Sequence, residues 1–107
     1  MRALAFAGVA LTIALSAAPA GAKPVGRDAT VIVNQLAFGT IPRNLHVGDT
    51  IVWVNRDLFR HSATSKGNFD INLPAGSTQR MKLTKAGDFP FTCKFHPGMT
   101  GVLKVRG

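Results

Sequence analysis

The sequence predicts an all-β domain, a sandwich or barrel built from short antiparallel strands. Short β-rich runs follow one another along the chain, turn sequences separate them, and no long helical period occurs. An apolar amino-terminal segment of different composition precedes this pattern. We therefore treat that segment and the strand-rich remainder separately.

Residues 1–22 are typical of a cleaved secretory signal peptide. Arg2 supplies a positive start, residues 3–15 form an apolar stretch, and the small residues Ala20 and Ala22 form a cleavage signal. The apolar stretch is too short to cross a hydrocarbon core of ~30 Å as a helix, so we expect no membrane anchor. The prediction is export to the periplasm, where residues 23–107 form a single domain.

The strand signals occur at short and regular spacing. Residues 50–55 carry the strongest one, because β-branched residues and Trp53 dominate the run. Phe89, Phe91 and Cys93 share one face of a later strand by the period of two, while Pro90 in the same run predicts a bulge or an edge-facing strand start. The other predicted strands are residues 30–33 with an extension toward 38, residues 80–83 and residues 102–105. Turn sequences lie at residues 47–49, 74–76 and 85–88.

The chain is strongly basic, with a formal net charge of +8 at pH 7. Removal of Arg2 with the signal peptide leaves 12 Lys and Arg against 5 Asp and Glu, a net charge of +7. The basic residues are scattered and the protein is predicted to be exported, so we expect no nucleic-acid partner. An acidic protein partner, an anionic membrane surface and simple solubility all remain open as explanations of the charge.

The most informative motif is the segment CKFHPGM at residues 93–99. Cys93, His96 and Met99 stand three residues apart and offer a thiolate, an imidazole and a thioether, which is the donor set of a blue-copper site short of one imidazole. Cys93 is the only cysteine, so it has no disulfide partner within the chain, and metal binding protects a lone thiol in an oxidising compartment. The spacing suits a tight loop in which Cys93 ends one strand and Met99 opens the next.

The second imidazole comes from His46 or His61. These residues flank the predicted strand 50–55, whose six residues rise roughly 20 Å, so they belong at opposite ends of the fold. We select His61, because the loop of residues 56–60 before it can lean over an end, although sequence alone does not fix which end meets the Cys93 loop. His46 is predicted to be a surface histidine without an assigned role.

Residues 28–107 resemble the cupredoxins, most closely the small amicyanin-like ones. The resemblance is carried by residues 46–55, by His61 and by residues 91–99. It implies a Greek-key β-sandwich and one type 1 copper ion that cycles between Cu(I) and Cu(II). It also implies electron transfer through the exposed edge of the second histidine ligand, and it assigns the ligand roles to His61, Cys93, His96 and Met99.

Two residues depart from the pattern of the cupredoxins. Many relatives have asparagine directly after the first histidine ligand, where this chain has Ser62, and amicyanins tend to have proline where it has Phe95. Phe95 keeps a backbone N–H, so we hypothesise that the Cys93 sulfur accepts N–H bonds from both Ser62 and Phe95. Such bonds stabilise the thiolate and favour Cu(I), which raises the reduction potential.

The loops around the predicted ligands carry apolar residues with two alternative roles. Phe59, Phe95 and Pro97 either form a docking patch around the second histidine ligand or plug the end of the sandwich. In the first case Arg60 and Lys94 would surround the patch with positive charge.

The predicted function is that of a periplasmic one-electron carrier rather than an enzyme. We expect a monomer that meets a transient redox partner with an acidic surface, either a dehydrogenase or a cytochrome. The alternative is a copper-binding or copper-delivery protein of the same fold with the same ligands. A copper enzyme would need histidines for a second copper site, and the chain has only three in all.

Overall fold

The computed structural model describes residues 3–5, 7–13 and 26–107. Within these residues it contains nine β-strands and no helix. In chain order the strands are β1 (Asp28–Asn34), β2 (Ala37–Phe38), β3 (Leu45–His46), β4 (Thr50–Asn55), β5 (His61–Ser65), β6 (Phe69–Leu73), β7 (Thr78–Lys82), β8 (Gly87–Thr92) and β9 (Thr100–Arg106).

The strands form two sheets that pack face to face as a β-sandwich. One sheet has the order β2-β1-β4-β7, and the other has the order β3-β9-β8-β5-β6. Most neighbouring strands are antiparallel, but β1 pairs with β4 and β3 pairs with β9 in parallel. The predicted all-β Greek-key sandwich is confirmed.

The core lies between the sheets and is centred on aromatic rings. Alternation along β4 turns Ile51, Trp53 and Asn55 inward, and all three are buried. The ring of Trp53 meets that of Phe91 edge to face, with centroids 5.2 Å apart. Truncating either ring in such a core costs about 3–5 kcal/mol, so this contact is a main stabilising element of the sandwich.

Three strands are missing from the sequence-based prediction. The segments forming β3, β5 and β6 were not predicted as strands, and His61, which follows the loop of residues 56–60 as expected, is the first residue of β5. The reason lies in β5, where His61, Ser62, Ala63 and Ser65 are all buried, so no alternation of polar and apolar residues marks the strand. A strand buried on both faces and built from small polar residues lacks the period on which the prediction depended.

Pro90 lies inside β8, where it pairs across the ladder with Val102 of β9. The pairing of β8 with its other neighbour, β5, is limited to Thr64 opposite Thr92. Pro90 is therefore outside the part of β8 that faces β5, so its missing N–H costs no bond on that side.

The amino-terminal segment is described only in part. Residues 3–5 and 7–13 are exposed and have no regular secondary structure. The predicted cleavage signal at Ala20 and Ala22 lies outside the described residues, so the signal peptide stays a prediction. Over the described residues, no helix has the length and apolar character needed to cross a membrane.

Candidate metal centre

The segment from Cys93 to Met99 forms a tight loop between two antiparallel strands. Cys93 directly follows β8, and Met99 directly precedes β9. The Met99 N–H donates to the His96 carbonyl at 2.9 Å, and the Cys93 N–H donates to the Met99 carbonyl at 3.1 Å. These two bonds close the loop and confirm the predicted hairpin arrangement of the motif.

His61 reaches this loop from a distant part of the chain. Strands β5 and β8 are antiparallel neighbours with Thr64 opposite Thr92, which lays the start of β5 beside the residues that follow β8. The Cys93 Sγ atom lies 3.7 Å from Nδ1 of His61 and 3.8 Å from Nδ1 of His96. The three donor atoms all lie within 4.8 Å of one another, so the predicted thiolate and both predicted imidazoles converge.

The third histidine, His46, is at the other end of the sandwich. It is exposed and pairs with Arg106, the last residue of β9, whereas the ligand loop precedes Thr100, the first residue of that strand. Six residues of strand separate those positions by roughly 20 Å. The selection of His61 over His46 agrees with this geometry.

The distances from the Cys93 sulfur to the two nitrogens fit a trigonal metal site. With bonds of ~2.3 Å to sulfur and ~2.0 Å to nitrogen, 120° angles place the sulfur ~3.7 Å from each nitrogen. The observed distances of 3.7 and 3.8 Å match that value. His61 and Cys93 are buried and His96 is half-buried, so water has little access to the centre of the triangle.

The surroundings of Cys93 favour its thiolate. Burial raises the pKa of the thiol, but the N–H of Ser62 and the rings of His96 and His61 lower it, and the N–H of Phe95 contributes further. The result is a pKa of about 6 rather than the ordinary 9.0. The Ser62 N–H donates to Sγ at 3.4 Å, as hypothesised. A thiolate is thus present at neutral pH, which is the form that binds metal.

Comparison with known proteins finds similar sequences and folds. Amicyanin from Paracoccus denitrificans is 28% identical over 99 residues, which cover 85% of this chain and 76% of that protein. A solved amicyanin variant with Cu(I) superposes with a TM-score of 0.62 at 24% identity, covering 74% of this chain and 82% of that one. No family model matches the sequence.

The chain has the cupredoxin fold of amicyanin and resembles that protein in sequence. Its arrangement of His61, Cys93 and His96 fits one copper ion. A copper-containing nitrite reductase from Thermus scotoductus also superposes, with a TM-score of 0.60 and 26% identity. That match covers 80% of this chain but only 23% of the reductase, so this chain corresponds to about a quarter of the larger protein.

The buried carboxylate of Asp57 orients the ring of His61. Its Oδ2 atom lies 2.8 Å from Nε2 of His61, and the side chains are 9% and 0% exposed. The backbone N–H of Leu36 lowers the pKa of Asp57 most, burial opposes this, and His61 and the Gln35 N–H lower it further. An ionised carboxylate requires a donor at Nε2, so Nδ1, on the side of the Cys93 sulfur, is the nitrogen that would bind a metal.

Asp57 also holds a strained turn of the other sheet. Its carboxylate accepts the N–H of Gln35 at 2.7 Å and that of Leu36 at 3.0 Å, in the two-residue connection between β1 and β2. Both residues have positive φ, at 51° and 58°, a conformation that side-chain-bearing residues seldom adopt. Sequence reasoning missed Asp57, and the available signal was an acidic residue four positions before a candidate ligand.

Ser62 takes over the bracing role that asparagine has in relatives. Its Oγ accepts the backbone N–H of Lys94 at 2.9 Å, while its own N–H donates to the Cys93 sulfur. The shorter side chain therefore still reaches the ligand loop, because β5 and the residues after β8 lie side by side.

In the loop sequence, Met99 stands at the position predicted for a weak fourth ligand. It is 4% exposed and packs with the core residues. Its role as the weak fourth donor stays a prediction.

The loops that flank His61 and His96 carry exposed apolar side chains. The exposed fractions of Leu58, Phe59 and Phe95 are 91%, 58% and 48%. These side chains do not plug the end of the sandwich, which was one of the two predicted roles. The guanidinium of Arg60 stands over the ring of Phe95, 5.9 Å from its centroid.

Proposed function

We propose that this cupredoxin is a periplasmic one-electron carrier whose type 1 copper ion is held by His61, Cys93 and His96, with Met99 as the weak axial ligand. The observation that carries the proposal is the convergence of Cys93 Sγ with the Nδ1 atoms of two histidines at distances of 3.7 and 3.8 Å. One thiolate with two imidazoles is the donor set of blue-copper electron-transfer sites. The amicyanin likeness supports the same reading.

Copper, when bound, supplies the one-electron change between Cu(I) and Cu(II). The protein residues hold the donors in fixed positions, so that either oxidation state is accommodated with little rearrangement. Asp57 fixes the ring of His61, and Ser62 fixes both the sulfur and the loop. His96 is the half-buried member of the set, so its exposed edge is the proposed path for the electron.

The apolar patch formed by Leu58, Phe59 and Phe95 is the proposed docking surface for a redox partner. An exposed patch next to the half-buried ligand allows a brief and close approach of the second redox centre. Arg60 adds positive charge above Phe95, and the net charge of the chain favours a partner with an acidic face, such as a dehydrogenase or a cytochrome. Association should then slow as the salt concentration rises.

The periplasmic location rests on the predicted signal peptide at residues 1–22, with the functional domain at residues 23–107. Amino-terminal sequencing of the protein secreted by a bacterial host tests it, because the first residue of the mature chain should be Lys23. Size-exclusion chromatography of the same material tests the expected monomer.

An electron carrier is favoured over a reductase by the placement of the histidines. A reductase requires imidazoles for a second copper site beside the first. The remaining histidine of the chain, His46, is exposed at the opposite end of the sandwich.

The deciding experiment adds Cu(II) to the mature protein and records its visible spectrum. We expect an intense blue band and reversible voltammetry in the wild type and in His46→Ala, the matched control. Cys93→Ser and His61→Ala should lose the band. A wild type that stays colourless overturns the copper proposal, whereas rapid copper loss to a competing apo-protein with slow electron exchange would favour copper delivery instead.

A further inference from the structure

A directed chain of hydrogen bonds connects Asp70 on β6 with the ligand loop. The Thr64 hydroxyl donates to Asp70 Oδ1 at 2.8 Å, and the hydroxyls of Ser62 and Thr64 lie 2.9 Å apart. Since a hydroxyl carries one hydrogen and that of Thr64 is engaged by the carboxylate, Ser62 must donate to Thr64. The Ser62 oxygen then accepts the N–H of Lys94 at 2.9 Å.

A second connection joins the same two ends. The Lys94 ammonium donates to the other carboxylate oxygen, Asp70 Oδ2, at 2.9 Å. Asp70 is therefore connected to Lys94 in two ways. It binds the Lys94 ammonium directly, and it is linked to the Lys94 backbone N–H through the hydroxyls of Thr64 and Ser62. The two arms close a ring around the residue that directly follows Cys93.

We propose that Asp70 is a remote positioning residue of the copper centre, which fixes the peptide group between Cys93 and Lys94 through this ring. The inference rests on the proposed copper site. It assigns a role to a side chain that contacts none of the three metal-binding residues and that lies 24 positions before Lys94.

The ring acts on the ligand through the plane of one peptide group. The Lys94 N–H belongs to the peptide that follows Cys93, so its direction sets the orientation of the Cys93 backbone. The same Ser62 that receives this N–H donates its own N–H to the Cys93 sulfur. A shift of Ser62 therefore changes both the loop and the polarity around the thiolate.

A carboxylate is needed at position 70 because it only accepts hydrogen bonds. An amide there would offer one accepting oxygen and one donating NH₂ group. It could therefore accept from the Thr64 hydroxyl or from the Lys94 ammonium, but it would present a donor to the other. With the NH₂ group toward Thr64, the Thr64 hydroxyl would be free to reverse toward Ser62, and the direction of the whole chain would be lost.

A purely structural role for Asp70 would have a different signature. Asp70 and Lys94 are 55% and 49% exposed, and an exposed ion pair contributes little to folding. We therefore expect the Asp70 and Lys94 variants to unfold at nearly the wild-type temperature. Their copper centre, in contrast, should change.

The test compares Asp70→Asn with Asp88→Asn in the copper-loaded mature protein. Asp88 is an exposed carboxylate near the start of β8, opposite Lys104, so its variant removes the same charge away from the loop. Thr64→Val cuts only the hydroxyl arm, and Lys94→Met cuts only the ammonium arm. The readouts are the rate of copper release to a chelator, the reduction potential, the thermal midpoint, and hydrogen exchange of the Lys94 amide in copper-free protein.

We expect Asp70→Asn to release copper about tenfold faster than wild type, the lower end of the effect of outer-shell partners. Its potential should shift and its Lys94 amide should exchange faster, while Asp88→Asn matches wild type in all four readouts. Thr64→Val should accelerate exchange at Lys94 more than Lys94→Met does. Asp70→Asn indistinguishable from Asp88→Asn would overturn the inference, whereas a wild type that binds no copper would overturn the proposed function itself.

Discussion

Nε2 of His61 lies 2.8 Å from Oδ2 of Asp57, and the same carboxylate accepts two backbone N–H groups from the turn between β1 and β2. Three donors from two different sheets thus converge on one buried carboxylate. The ring of His61 is fixed from the side opposite to the proposed metal, so the direction of its Nδ1 atom depends on the turn between β1 and β2, far from the ligand loop in sequence.

Replacement of Asp57 by asparagine should weaken both the fold and the copper site. The amide has one accepting oxygen, so at least one of the three donors loses its partner, which costs about 1–3 kcal/mol of unfolding free energy. Copper affinity should fall by about 10–100-fold because the ring of His61 is less firmly held. Urea unfolding and competition with a copper chelator measure the two effects.

The control for Asp57→Asn is Asp28→Asn. Asp28 forms an exposed ion pair with Arg80, in which one guanidinium nitrogen contacts both carboxylate oxygens. Its loss should cost at most about 1 kcal/mol and leave copper affinity unchanged. Equal copper affinity in the two variants would contradict the orienting role of Asp57.

The Phe95→Pro variant should have a lower reduction potential than the wild type. Proline removes the backbone N–H that helps to lower the pKa of the Cys93 thiol, and a thiolate with fewer donors favours Cu(II). Phe95→Ala is the matched control, since it removes the ring and keeps the N–H, so its potential should stay closer to that of the wild type. Voltammetry that finds an unchanged or higher potential in Phe95→Pro would refute the hypothesis.

The stability contributed by Asp49 should disappear in acid. The N–H groups of Arg27 and His46 donate to its buried carboxylate at 2.9 Å each and lower its pKa from 3.8. A depressed carboxyl pKa stabilises the fold above the unfolded value of about 4, and that contribution is lost as the pH falls through the folded value. Asp49→Asn should therefore be less stable than wild type by about 1–3 kcal/mol at pH 7.

The same difference should shrink steadily below about pH 4 as the wild-type carboxylate protonates. Urea unfolding with a chelator present, repeated at several pH values, measures it without a contribution from copper. Asp88→Asn serves as the control for an exposed carboxylate. A gap between wild type and Asp49→Asn that is independent of pH would argue against the ionised form as its source.

Replacement of Gly101 by alanine should destabilise the sandwich. A Cβ atom at this position would clash with the ring of Phe91, whose Cε1 and Cε2 atoms would be 2.9 Å away. Phe91 is fully buried, so its ring has little room to move, and overpacking of this kind costs about 1–3 kcal/mol. Thermal unfolding of Gly101→Ala beside Gly107→Ala, where nothing lies within 4 Å, measures the cost.

A smaller side chain at position 91 should relieve this clash. Adding Phe91→Leu to Gly101→Ala is expected to cost less than the sum of the two single variants, because the shorter side chain leaves space for the new methyl group. Strict additivity would mean that the ring is not the obstacle.

The parts of the fold that the sequence predicted well are those with a local signal. Strand β4 matches the predicted residues 50–55, because β-branched and aromatic residues mark a strand whatever its partners are. The loop from Cys93 to Met99 is likewise contiguous, so its spacing alone indicated how it would fold. The length of one strand placed His46 and His61 at opposite ends of the fold, and the loop of residues 56–60 before His61 decided the choice between them.

The features that the sequence did not predict depend on contacts between residues that are distant in the chain. Asp57 accepts hydrogen bonds from the N–H groups of Gln35 and Leu36, which lie 22 and 21 positions earlier in the sequence. No residue type at these positions indicates the contact. Strand β5 shows no alternation of polar and apolar residues, because its small polar residues are buried on both faces. The positive φ values of Gln35 and Leu36 are equally hard to predict, since these residues are stabilised by the Asp57 carboxylate from a loop 22 and 21 positions away.

The shared carboxylate also sets a condition for loop grafting, in which a copper centre is moved to a new scaffold. A transplant of residues 56–61 together with the Cys93 loop would carry the acidic side chain but leave behind the two turn amides that it binds. The engineered site would then contain every proposed metal ligand, but it would lack the turn that holds Asp57 and thereby orients His61. A faithful transfer has to include the hairpin formed by β1 and β2.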